Sequence, residues 1–234
     1  MQLILQAFLY AVGLPLELLV IAAILKSRAW RTFPFIFAYA VALFITSVVE
    51  IPAYIAYFAG IHHRRSRAFF YWINEGVLQI LIFAAVISLI YHATSALRNR
   101  TTIRRALVAG AVLFAPLSLA LHYDPNAVVG QWMTLVSRDL NLCTAVLDLA
   151  LWMILLAFRP GDHRLLLLSG GLGVQFAGEA IGHSLRQVSR VTVLLGSVVV
   201  VLANLACLYV WWQTFRTSEA SSAALQTAER GKAG

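Results

Sequence analysis

Six carboxylates in this chain sit where carboxylates are rare. Of ten acidic residues among 234, Glu17, Glu50, Glu75, Asp139, Asp148 and Glu179 fall inside long apolar stretches. A charge at the centre of a membrane helix costs about 2.5–3.5 kcal/mol on insertion scales, so such a residue faces a partner, the bundle interior or a water-filled cavity. The chemistry open to these groups is proton exchange, ligand or cation binding, and salt-bridge formation with Arg138, the one Lys or Arg inside any of those stretches.

Helical spacing sorts the polar residues into stripes. Gln175, Glu179 and His183 recur at i, i+4 and i+8 and share a helix face. Arg138, Asn141, Ala145 and Asp148 form a second stripe, Glu75 and Gln79 a third, and Gln6, Tyr10, Gly13 and Glu17 a fourth. By depth, Glu50, Glu75, Arg138, Asp139, Glu179 and His183 lie in the middle or outer half of their stretches, whereas Glu17 and Asp148 lie nearer the cytoplasmic side. The first group, with Gln175, is predicted to line a polar pocket open to the outside. The structural alternative is a set of interhelical pairs, such as Arg138 with Glu50 or Glu75, that hold the bundle together.

Other chemistries find less support. Glu179 and His183 at i, i+4 would suit one metal ion, with Glu50 or Glu75 completing the shell, but no other histidine lies well inside an apolar stretch. No GxSxG nucleophile motif occurs, and Ser169-Gly170-Gly171-Leu172-Gly173 is not a GxGxxG phosphate loop. Cys143 and Cys207 have no metal-ligand spacing and read as small core residues. Gly178 and Gly182 form a GxxxG that permits close helix packing. No cofactor and no metal are called for.

The elements that position these groups follow from composition. The chain is 61% hydrophobic and 12% charged, with mean hydropathy +0.80, against about 25% charged in ordinary soluble domains. A spanning helix needs about 20 apolar residues. Apolar stretches between charge clusters predict an all-α, polytopic membrane domain over 1–214, with seven spans near 3–25, 33–58, 69–93, 106–121, 132–157, 165–185 and 191–213. A polar, disordered tail is expected over 215–234. No length remains for a soluble catalytic domain, and the first apolar run is too long for a signal peptide.

The net charge of +8 reads as topology rather than nucleic-acid binding, because the basic residues cluster at the ends of apolar runs. Twelve of the eighteen lie in the loops after spans one, three and five and in the tail, and five lie on the opposite side. The positive-inside rule then places the N-terminus outside and the C-terminus in the cytoplasm, with the chain multi-pass in the inner (cytoplasmic) membrane. Arg64-Arg65-Ser66-Arg67 runs against that bias and reads as a solvated loop or a lipid-headgroup contact. Tyr71, Trp72, Trp132, Trp211 and Trp212 near span ends suit an interfacial aromatic belt.

Acidic spacing suggests a parallel repeat. Glu17 to Glu50 is 33 residues and Glu50 to Glu75 is 25; Asp148 to Glu179 is 31 and Glu179 to Asn204 is 25. Spans one to three would match spans five to seven, with the fourth as linker, a plan used by transporters that bind substrate between repeats. Asn204 thereby joins the candidate residues. This plan resembles the sugar-efflux and PQ-loop transporters and the microbial rhodopsins in helix count and order, without their motifs: no Pro-Gln pair occurs, and residues 191–213 contain no lysine for retinal. The segments Arg31-Thr32-Phe33-Pro34-Phe35-Ile36-Phe37-Ala38-Tyr39 and Phe70-Tyr71-Trp72-Ile73-Asn74-Glu75 resemble those of bacterial seven-helix integral membrane proteins of unassigned activity. Together the features point first to a small-solute or proton-coupled carrier. The alternatives are a ligand-binding receptor or sensor subunit that signals through a cytoplasmic partner, and then an embedded metal-dependent hydrolase. The expected partners are the lipid bilayer and a small-molecule or ion ligand, with no nucleic acid.

Overall fold

A computed structural model describes residues 2–58, 64–96, 100–122, 129–159, 161–188 and 190–232, with side chains described over most of the bundle. These residues are almost entirely helical, with no strand among them. The α-helices are α1 (Gln2–Lys26), α2 (Pro34–Phe58), α3 (Arg64–Ala93), α4 (Arg100–His122), α5 (Val129–Phe158), α6 (His163–Val188) and α7 (Arg190–Lys232). Each stretch predicted as a span is therefore helical. Five segments are long and apolar enough to cross a membrane: Pro34–Ile51, Gly76–Ala93, Asp139–Phe158, His163–Gly182 and Leu194–Thr217. α7 carries on to Lys232, past the point where composition sets apart a disordered tail, through a segment with the good helix former Ala at 220, 223, 224 and 228.

The connections explain where helices stop. α1 gives way to a short turn at Arg28, whose backbone is left-handed at φ 53°, and the Ser27 hydroxyl donates back to the Ala23 carbonyl at 2.7 Å. α2 then opens on Pro34, whose missing N–H is harmless in a first turn. The Thr94 hydroxyl closes α3 by donating to the Ile90 carbonyl at 2.7 Å. Asp162 caps α6 by accepting from the Leu165 amide at 3.3 Å.

Contacts run α1 to α2, α2 to α3, α3 to α5, α5 to α6, α6 to α7, and α7 back to α1, so six helices close a ring. α4 stands outside that ring, packed chiefly on α5. The polarity of the bundle is reversed from that of a water-soluble protein. Large apolar side chains cover the outside, with Leu113 68% and Leu121 72% exposed, while Glu17 and Asp148 are 4% and 2% exposed inside. In water so broad an apolar surface would aggregate, whereas in hydrocarbon it is the expected exterior.

The most extensive interface joins α6 to α7, and glycine makes it close. A Cβ built on Gly178 would collide with Ala203, and one on Gly182 with Val200 and, at 2.7 Å, with the Gly196 carbonyl oxygen. These are the two glycines of the GxxxG. By contrast, a Cβ on Gly110 of α4 would meet nothing within 4 Å. Gly182→Ala should therefore destabilise the bundle by about 1–3 kcal/mol through overpacking. Gly110→Ala should be neutral or stabilising by up to about 1 kcal/mol on helix propensity. Thermal unfolding in detergent checks the pair, and equal effects at both positions would contradict this packing.

Candidate functional site

The inward faces of α2, α3, α5 and α6 carry a connected chain of polar side chains. Gln175 of α6 donates from its single amide nitrogen to the Tyr39 hydroxyl of α2 at 3.0 Å and to the Glu179 carboxylate, one turn along, at 3.2 Å. The other Glu179 oxygen accepts from the Asn141 amide of α5. Asn141 in turn accepts from Gln79 of α3 at 3.4 Å. The sequence stripes placed Gln175 with Glu179, and the structure adds the cross-helix partners. Tyr39, 4% exposed, also meets the fully buried Trp211 edge-on at 5.9 Å between ring centroids.

Two more carboxylates lie in the interior, each held by a serine of the following helix. Glu17 of α1 accepts from the Ser47 hydroxyl of α2 at 2.9 Å. Asp148 of α5 accepts from the Ser169 hydroxyl of α6 at 2.7 Å. Room for Asp148 comes from Gly173, where a Cβ would stand 3.2 Å from the carboxylate oxygen. On α6, Ser169 and Glu179 are ten residues apart, about 15 Å along the axis at 1.5 Å per residue. The buried Cys207 of α7 lies in the same hydrophobic core as Leu172 and Trp211.

Not every sequence candidate joins this interior. Asp139 accepts from Ser118 of α4 at 3.1 Å and lies 3.5 Å from the His122 ring nitrogen, in the seam between α4 and α5. The reason is helical periodicity: Asp139 and Asn141, two residues apart, are separated by roughly 200° around the axis, so when one faces the ring interior the other faces away. Glu50 is half-buried on α2 and Asn204 half-buried on α7. The side chains of Glu75, Arg138 and His183 lie outside the described residues. Among the described residues no three His, Cys, Asp or Glu side chains gather as a metal shell would require.

The end of the bundle where α1 leads into α2 is rich in basic and aromatic groups. The Arg164 guanidinium of α6 lies 5.2 Å from the ring centres of both Phe33 and Phe215, a favourable cation–π arrangement. Arg159 pairs with Asp162 at 3.6 Å and donates to the His92 carbonyl at 3.1 Å. Trp211, expected in an interfacial belt, instead donates its indole N–H to the Leu168 carbonyl at 3.0 Å inside the bundle. Gly171 makes the space, since a Cβ there would stand 3.0 Å from the Trp211 indole nitrogen. The signal available in the sequence was the α7 stripe Gly196, Val200, Ala203, Cys207 and Trp211, spaced by four, three, four and four residues.

Compared with known protein families, curated proteins and solved structures, the chain finds no match.

The polar chain generates a stability prediction. Asn141→Leu removes both the donor to Glu179 and the acceptor for Gln79, so it should lower stability by about 1–3 kcal/mol through stranded buried groups. Unfolding titrations in mixed micelles read this directly. An unchanged midpoint would mean that the three side chains do not depend on one another.

Proposed function

We propose that this chain is a small-solute or proton-coupled carrier of the inner membrane, with seven transmembrane helices, the N-terminus outside and the C-terminus in the cytoplasm. One observation carries the reading: Glu17, Asp148 and Glu179, on three different helices of one ring, are held by the neutral donors Ser47, Ser169, Asn141 and Gln175. A permanent ion pair fixes a carboxylate in its charged form. Neutral donors leave it free to exist as an acid or as an anion, and alternation between the two is what proton coupling requires.

The packing order supports the parallel repeat. Exchanging α1, α2 and α3 for α5, α6 and α7 preserves the order of neighbours around the ring. Under the same exchange Glu17 with Ser47 and Asp148 with Ser169 are both pairs between a repeat's first and second helices. In such folds the site lies between repeats near the midplane, and the bond of Gln175 on α6 to Tyr39 on α2 joins the second helices of the two proposed repeats.

Solute-driven proton uptake into proteoliposomes tests the proposal, with an internal pH dye and a panel of sugars, amino acids, amines and organic acids. The expected result is uptake driven by at least one solute and abolished by Glu179→Gln, which keeps the shape of the side chain but cannot cycle a proton. The sensor alternative predicts no uptake with any solute, together with a stoichiometric cytoplasmic protein retained after extraction from membranes.

A further inference from the structure

The interior of the bundle has an excess of hydrogen-bond acceptors. The buried polar side-chain atoms without a partner among the described residues are Glu17 Oε2, Gln175 Oε1, and Nε and Nη2 of Arg164. The two donors belong to the basic end of the bundle. Inside the ring both unpartnered atoms are acceptors, on side chains only 4% (Glu17) and 5% (Gln175) exposed. An amide oxygen buried without a donor is unfavourable in any medium and more so where water is scarce. Gln175 carries this oxygen on the same amide that bridges Tyr39 and Glu179.

The charge balance points the same way. Among the described residues the ring interior holds three carboxylates, Glu17, Asp148 and Glu179, each bound by neutral donors. An anionic solute entering this interior would add to an existing excess of negative charge in a region of low dielectric constant, where repulsion is strong. A bare metal cation needs a shell of several oxygens, and no three acidic, histidine or cysteine side chains gather among the described residues. A protonated amine needs fewer, directed acceptors. It can donate to Gln175 Oε1 and to the neighbouring Glu179 carboxylate, with the Tyr39 hydroxyl on the same amide as a further acceptor.

We infer that the polar centre at Gln175, Glu179 and Tyr39 selects a small solute bearing a protonated amine. This names the substrate class of the proposed carrier site and rests on that reading.

The test is thermal unfolding of the purified chain in detergent with methylammonium, tetramethylammonium or sodium chloride, or sodium acetate, at matched ionic strength and at a pH where the amine is protonated. Methylammonium should raise the melting temperature above the sodium chloride value. Tetramethylammonium, a cation with no N–H, should raise it less, and acetate should match chloride. Glu179→Gln and Gln175→Leu should each lose the methylammonium increment, and should either variant fail to fold, the unmodified chain's salt series decides alone. Equal effects of methylammonium and sodium, or stabilisation by acetate, would overturn the inference. Proton uptake driven only by neutral or anionic solutes would reject the amine class while sustaining the carrier, whereas an amine-selective shift without uptake by any solute would do the reverse.

Discussion

A carboxylate surrounded by hydrocarbon must find within the protein the hydrogen bonds that water would otherwise supply. That constraint organises the bundle. Glu17, Asp148 and Glu179 are turned inward on the helices that bear them, and each accepts from a donor on a neighbouring helix. Those donors are Ser47, Ser169 and Asn141. The polar contacts thus fix rotation of the helices about their own axes, which the surrounding leucines and valines, alike on every side, specify only weakly.

Packing fixes what polarity leaves open. Where lipid competes equally well for apolar side chains, helices associate through close backbone approach, and α6 achieves this with glycines at positions 171, 178 and 182 against α7. Gly173 serves a different end, leaving space for the Asp148 carboxylate beside Ser169. One helix therefore provides both the tightest seam of the ring and three members of its polar interior, Ser169, Gln175 and Glu179. α4, outside the ring and with Pro116 within the helix, contributes instead to the separate pairing of Ser118 and His122 with Asp139.

Much of this was legible before the fold was known. Apolar run length marks the α-helices of the described residues, five of which hold segments long and apolar enough to cross a membrane, and the i, i+4 spacing places Gln175 beside Glu179. The direction of Asp139 was not legible from its position along the helix, which says nothing of azimuth; its spacing of two from Asn141 held that information. Trp211 misled for a related reason. A tryptophan near a span end suits the interface in general, but here a glycine on the facing helix admits it to the core. Ser47 and Ser169 could not be identified as carboxylate partners, since a serine in an apolar helix most often bonds to its own backbone, and only the pairing of helices reveals the other choice. The helical extension of α7 was hidden by composition, which registers polarity while the Ala content favours helix.

The central claim is that Glu179 is held so that it can change protonation state. Infrared spectroscopy of the reconstituted chain, with isotope-labelled glutamate and the Glu179→Gln variant as reference, measures this most directly. The account predicts a carboxylic-acid C=O band, absent from the variant, that appears and disappears reversibly with pH while the protein stays folded. A Glu179 that remains an ionised carboxylate at every pH compatible with folding would contradict it, and would make the polar centre a structural bond between helices.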